Sequence, residues 1–144
     1  MNKFEERLNM GKREIASEYH QKGYNCAQAV VCSFCEDIDM DKKSLFKLAE
    51  GFGLGMGSMQ CTCGALSGAI VLAGIKNSSG DLENPSSKQS TYQIAKEIQE
   101  KFKERIGSTV CQEIKGVNSG KMLSSCAECI DVAVHIAEEV FFSK

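Results

Sequence analysis

The sequence predicts an all-α protein, a compact bundle of about five to seven helices. Three observations carry that prediction. Apolar residues recur at spacings of three, four and seven along most of the chain. Residues suited to capping helix ends stand before and after these runs. No stretch alternates with period two, and no hairpin turn pair occurs. At 144 residues, 42% hydrophobic and 25% charged, the chain suits one domain spanning residues 1–144. A chain of that length buries enough surface to fold without disulfide staples.

Taken in order, Phe4, Leu8, Ile15 and Tyr19 share the face of a first helix despite Gly11. Gly23-Tyr24 ends it. Asn25 is a natural N-cap for a second helix, Cys26–Glu36, because its side chain can accept an orphan N–H. That helix is apolar nearly all round and belongs at the centre. Asp39 or Asp41 opens a third, carrying Leu45, Phe46, Leu48 and Ala49. The run GFGLGMG at 51–57 places glycine at alternate positions. It reads as a flexible loop that sets Cys61 and Cys63 at the start of a fourth helix, about Cys63–Ala73. The small residues of that helix allow close approach of another backbone, so it could also serve a homodimer. A polar loop, Asn77–Ser87, precedes a long amphipathic helix, Lys88–Ile106, with Gly107 as its C-terminal cap. Ser108 is expected to cap a short helix holding Cys111. Ser124 or Ser125 starts a last helix running to about Phe142.

Composition excludes several function classes. The net charge of −2 and the lack of a basic stripe argue against nucleic-acid binding. The longest apolar stretch, Gly64–Ile75, is too short to span a bilayer. The first twenty residues have no apolar signal core, so a cytoplasmic protein without membrane insertion is expected. The glycine spacing is G-x-G-x-G-x-G rather than G-x-G-x-x-G, and no Gly-Lys-Ser/Thr follows. No nucleotide motif is therefore present. Without C-x-x-C-H there is no heme attachment motif.

Eight cysteines remain to be explained: Cys26, Cys32, Cys35, Cys61, Cys63, Cys111, Cys126 and Cys129. In a reducing compartment such thiols are metal-binding, redox-active or simply buried, and about half are expected to be inert core residues. Cys26, Cys63, Cys111 and Cys126 each fall near a predicted helix start. There the helix dipole and free N–H groups favour a thiolate, suited to a nucleophile or a metal ligand alike. The C-x-x-C pairs at 32–35 and 126–129 lie within helical patterns about ninety residues apart, unlike a zinc ribbon. Cys32, Cys35 and Cys129 are expected to line the core. His20 and His135 are isolated.

Together, N-C-A at 25–27, C-G-A-L-S-G at 63–68, Cys111 in I-G-S-T-V-C and Cys126 resemble the C_GCAxxG_C_C family of redox-active proteins. The resemblance covers nearly the whole chain, including the glycine run. It implies that Cys26, Cys63, Cys111 and Cys126 are the functional positions. A similar domain in split-Soret cytochromes is associated with an iron–sulfur centre, and that part of the analogy carries over. Cys61 and Cys129 are close enough to the four to substitute as ligands.

Two chemistries follow. Four thiolates suffice for an iron–sulfur cluster in electron transfer with a redox partner protein, and soft sulfur ligands suit zinc as an alternative. Otherwise Cys63 is the nucleophile of a thiol–disulfide oxidoreductase or sensor, resolved by Cys26, Cys61, Cys111 or Cys126.

Overall fold

The computed structural model describes residues 11–142. Seven helices form its frame: α1 (Lys12–Lys22), α2 (Cys26–Cys32), α3 (Lys42–Ala49), α4 (Gly64–Asn77), α5 (Lys88–Ile106), α6 (Cys111–Lys115) and α7 (Cys126–Ala137). A five-residue π turn, Glu138–Phe142, continues α7. The all-α expectation holds. Among the described residues the only extended pairing is one antiparallel bridge, Thr62 with Val110. Phe4 and Leu8 lie outside the described residues.

α4 is the hub, packed against α2, α5 and α7. Its first ten residues explain this. Gly64 to Ala69, with Leu72 and Ala73, are all buried. The small-residue stripe is thus covered within the chain, leaving little of it for a second copy. The most extensive contact is with α2. A Cβ on Gly68 would stand 3.0 Å from the Ala27 carbonyl oxygen, and one on Gly64 would stand 3.4 Å from Cys26 Cβ. Gly68 therefore lets α4 rest on the α2 backbone, and Gly64 lets its first turn meet the Phe52 carbonyl oxygen (3.0 Å from such a Cβ) with Cys26 alongside, which places Cys63 beside Cys26. Around this contact Phe34, Leu66, Leu72, Ile98, Phe102, Ile130 and Ile136 are fully buried. Each contributes about 1.5–3 kcal/mol of apolar transfer free energy.

Helix ends mostly follow the expected caps. Ser125 accepts the Glu128 N–H while Glu128 returns to the Ser125 N–H, a reciprocal box at the start of α7. Asp41, not Asp39, caps α3 by accepting from Ser44 N–H. Gly107 ends α5 in the left-handed conformation. Three boundaries differ from expectation. α2 stops at Cys32 rather than Glu36, where Ser33 Oγ donates back to the Val30 carbonyl (2.7 Å). α4 begins at Gly64 and runs to Asn77, with Cys63 as its N-cap rather than its first residue. Val110, not Ser108, is the N-cap of α6.

The N-cap of α2 also ties the fold together. Asn25 Oδ1 accepts from Gln28 N–H (2.9 Å), and Gln28 Oε1 accepts from Asn25 N–H (3.0 Å). Asn25 Nδ2 donates to the Glu50 carbonyl (2.9 Å), tethering the end of α3. Asn25→Ala removes both the cap and the tether. It is expected to cost about 1–2 kcal/mol in urea unfolding. An unchanged midpoint would contradict that assignment.

Candidate functional site

The glycine run is not a featureless loop. Leu54, Gly55, Met56 and Gly57 all have positive φ (54°, 55°, 64° and 80°), forming one left-handed turn. Non-glycine residues there cost about 1–2 kcal/mol each, so surrounding contacts must hold them. Gly55 shows what those contacts are. A Cβ at this position would lie 2.5 Å from Cys111 Cβ and 3.0 Å from the Cys61 carbonyl oxygen. The turn is thus pressed against the segment that carries Cys111.

Backbone pairing then joins that segment to the start of α4. Cys63 N–H donates to the Thr109 carbonyl (2.7 Å), Cys111 N–H to the Cys61 carbonyl (2.9 Å), and Gln112 N–H to the Met59 carbonyl (2.8 Å). α2 brings Cys26 from one side and α7 brings Cys126 and Cys129 from another. The five cysteines line a single cavity of about 200 Å³. His20, Leu54, Lys115 and Ser124 also line it, and among the described residues no carboxylate does.

The four cysteines read from helix starts and the family pattern, Cys26, Cys63, Cys111 and Cys126, therefore share one cavity. Cys129, expected in the core, shares it too. It stands three residues after Cys126, on the same helix face. Cys61 is exposed and outside the cavity, although its carbonyl holds Cys111. Cys32 and Cys35 lie elsewhere. Cys32 is buried, and burial pushes its thiol up to about 11. His20, read from the sequence as isolated, and Lys115, which sequence reasoning did not single out, are both cavity residues. Neither carries a local signal, because only the packing of α1 and α6 brings them there.

The sulfurs are arranged in pairs. The Cys26 thiol hydrogen-bonds to Cys126, and the Cys129 thiol to Cys63. In each pair one sulfur is favoured as thiolate, for an identifiable reason. Cys126 is held down at about 5 by the Cys26 hydrogen bond and then by Lys115, against burial. Lys115 Nζ stands 3.2 Å from Cys126 Sγ. Cys63 is held at about 7 by the Cys129 hydrogen bond and by the N–H groups of Leu66 and Ala65 in the first turn of α4. Cys26 and Cys129, as the donating partners in their burial, are pushed up. Burial and the neighbouring Cys63 push Cys111 up. Among the described residues, no three His, Cys, Asp or Glu side chains are gathered closely enough to hold a single metal ion. The sulfurs surround the cavity rather than meet at one point.

A family model described as "Putative redox-active protein (C_GCAxxG_C_C)" matches residues 24–140. The chain belongs to this family. Its match begins just before Cys26 and ends after Cys129, so it takes in every cysteine of the cavity. Comparison with curated proteins and with solved structures found no match. Among the described residues of this C_GCAxxG_C_C protein, no helix is long and apolar enough to cross a membrane.

The Lys115–Cys126 contact has a pH signature. Cys126 lies below the ordinary thiol value of 9.0 in the folded protein. It therefore stabilises the fold above that value, and the contribution is lost as pH falls through about 5. Cys26, raised by the same pairing, acts with the opposite sign and only on the alkaline side. Lys115→Met should raise the Cys126 value and slow its alkylation by iodoacetamide near pH 5, about tenfold for each unit of rise. Mass-mapped alkylation rates across pH check this; superimposable profiles would remove Lys115 from the account.

Proposed function

We propose that this protein is an electron-transfer protein in which Cys26, Cys63, Cys111 and Cys126 ligate an iron–sulfur cluster. The observation that carries the reading is that these cysteines, from four separate segments, line one cavity. Five thiols and no carboxylate make a soft donor set, which suits iron–sulfur, zinc or Cu(I) rather than magnesium or calcium. Sulfurs spread around a cavity suit a group of several atoms better than a lone zinc ion. Charge supports the reading further. Without a cation the cavity does not favour four thiolates: Cys26, through its hydrogen bond to Cys126 and its burial, and Cys111, chiefly through burial, are favoured as neutral thiols. To hold a cationic core, Cys26, Cys63, Cys111 and Cys126 would all have to give up their protons, so loading would weaken as pH falls. When bound, such a cluster takes up and gives back an electron. Lys115 offsets negative charge beside Cys126, and the first-turn N–H groups of α4 do so beside Cys63. Anaerobic purification, an absorbance spectrum, and iron, sulfide and zinc analysis test the reading. A colourless protein that takes up neither iron nor sulfide on anaerobic reconstitution overturns it. Stoichiometric zinc without iron converts the site to a zinc centre.

The two sulfur pairs favour a second reading, dithiol–disulfide exchange with a partner protein's disulfide. Cys126 is half-buried while Cys63 is 5% exposed, so Cys126 suits the attack better than Cys63. The Cys126 thiolate displaces one sulfur of the partner's disulfide. Cys26 then displaces the other, leaving a Cys26–Cys126 disulfide and a reduced partner. Exchange that survives Cys126→Ser rules this reading out.

A further inference from the structure

Cys129 belongs to the cavity but stands outside the four-cysteine pattern. It is 2% exposed, Cys63 is 5% exposed, and its thiol hydrogen-bonds to Cys63 across the contact between α4 and α7. Both sulfurs line the cavity. Unlike the half-buried Cys26 and Cys126, these two sulfurs are too deeply buried to meet a protein disulfide, but a small peroxide fits the cavity of about 200 Å³.

We propose that Cys63 and Cys129 form a reversible disulfide that shields the metal-free site from irreversible oxidation, with hydrogen peroxide as oxidant. The inference rests on the reading that these sulfurs share one metal-binding site. In the first step the Cys63 sulfur attacks peroxide. An S–O bond forms and the O–O bond breaks. The product is a sulfenic acid at Cys63 and hydroxide, which leaves as water with a proton. In the second step the Cys129 sulfur attacks Cys63. The S–S bond forms, the S–O bond breaks, and a second water leaves with the Cys129 proton. Two thiols thus lose two electrons and two protons, and one peroxide becomes two waters. The linkage withdraws Cys63 from ligation and stops its oxidation before the irreversible sulfinic stage. A dithiol reductant restores both thiols.

The test uses the full-length, metal-free chain treated with stoichiometric hydrogen peroxide. Peptide mapping is expected to show Cys63 joined to Cys129. Iron–sulfur loading is expected to be lost and to return in full after dithiothreitol. In Cys129→Ser and Cys129→Ala the Cys63 sulfenic acid is left unresolved, and a second equivalent of peroxide should carry it to sulfinic acid, with loading lost permanently. Cys63 joined to Cys26 or Cys111, or a Cys26–Cys126 linkage alone, overturns the proposal, as does full recovery of the Cys129 variants. Mapping needs no cluster. Failure of untreated wild-type protein to load iron therefore counts against the cluster reading, and a missing Cys63–Cys129 linkage counts against this one.

Discussion

Gly55→Ala is expected to lower stability by about 2–4 kcal/mol and to abolish the cysteine site with it. Two effects add. The backbone at Gly55 has φ of 55°, which a Cβ strains, and the new methyl would lie 2.5 Å from Cys111 Cβ. The obstruction cannot swing aside cheaply. Cys111 is the first residue of α6, and its N–H is held by the Cys61 carbonyl. Either the left-handed turn lifts away or α6 moves, and both displace Cys111 from the cavity. Urea unfolding should show the loss of stability, and metal loading should show the loss of the site. A contrast is available at Gly74, where a Cβ would meet nothing within 4 Å. Gly74→Ala should leave stability unchanged or slightly raised, because alanine is the better helix former. Equal behaviour of the two variants would contradict the role given to the turn.

Single cysteine replacements should divide the eight sharply. Serine at Cys26, Cys63, Cys111 or Cys126 is expected to reduce bound iron after anaerobic reconstitution to near zero. Four ligands make the minimum set, and one missing thiolate leaves iron open to solvent. Serine at Cys32, Cys35 or Cys61 should leave loading intact, since none of these lines the cavity. Cys129→Ser should still load, because its sulfur partners Cys63 rather than completing the four. If Cys129→Ser fails to load while Cys111→Ser succeeds, Cys129 is the fourth ligand.

The helices were legible from sequence because local chemistry determines them. Asn25, Asp41, Ser125 and Gly107 do in the fold what their side chains, or the lack of one, allow. The convergence of Cys26, Cys63, Cys111 and Cys126 was legible through their shared position at helix starts. What local chemistry does not determine was missed. Leu54 and Met56 adopt positive φ against their own preference, and only tertiary contacts impose this. The pairing of residues 59–63 with 109–112 joins segments nearly fifty residues apart, with no alternation to announce it. Cys129 was assigned to the core, with ligation only as a substitute for one of the four, because its C-x-x-C spacing lies in a helical pattern unlike a zinc ribbon. The same spacing does place it on the Cys126 face of α7, and that face turns toward the cavity.

The central claim is that thiols from four segments hold one metal group. The most direct measurement is a crystal structure of the anaerobically reconstituted full-length chain, with anomalous scattering recorded at the iron edge. The account predicts iron inside the cavity, bonded to the sulfurs of Cys26, Cys63, Cys111 and Cys126, with Cys61, Cys32 and Cys35 unbound. Iron bound elsewhere, or a cavity whose four sulfurs bind no metal in protein that has taken up iron, would contradict it.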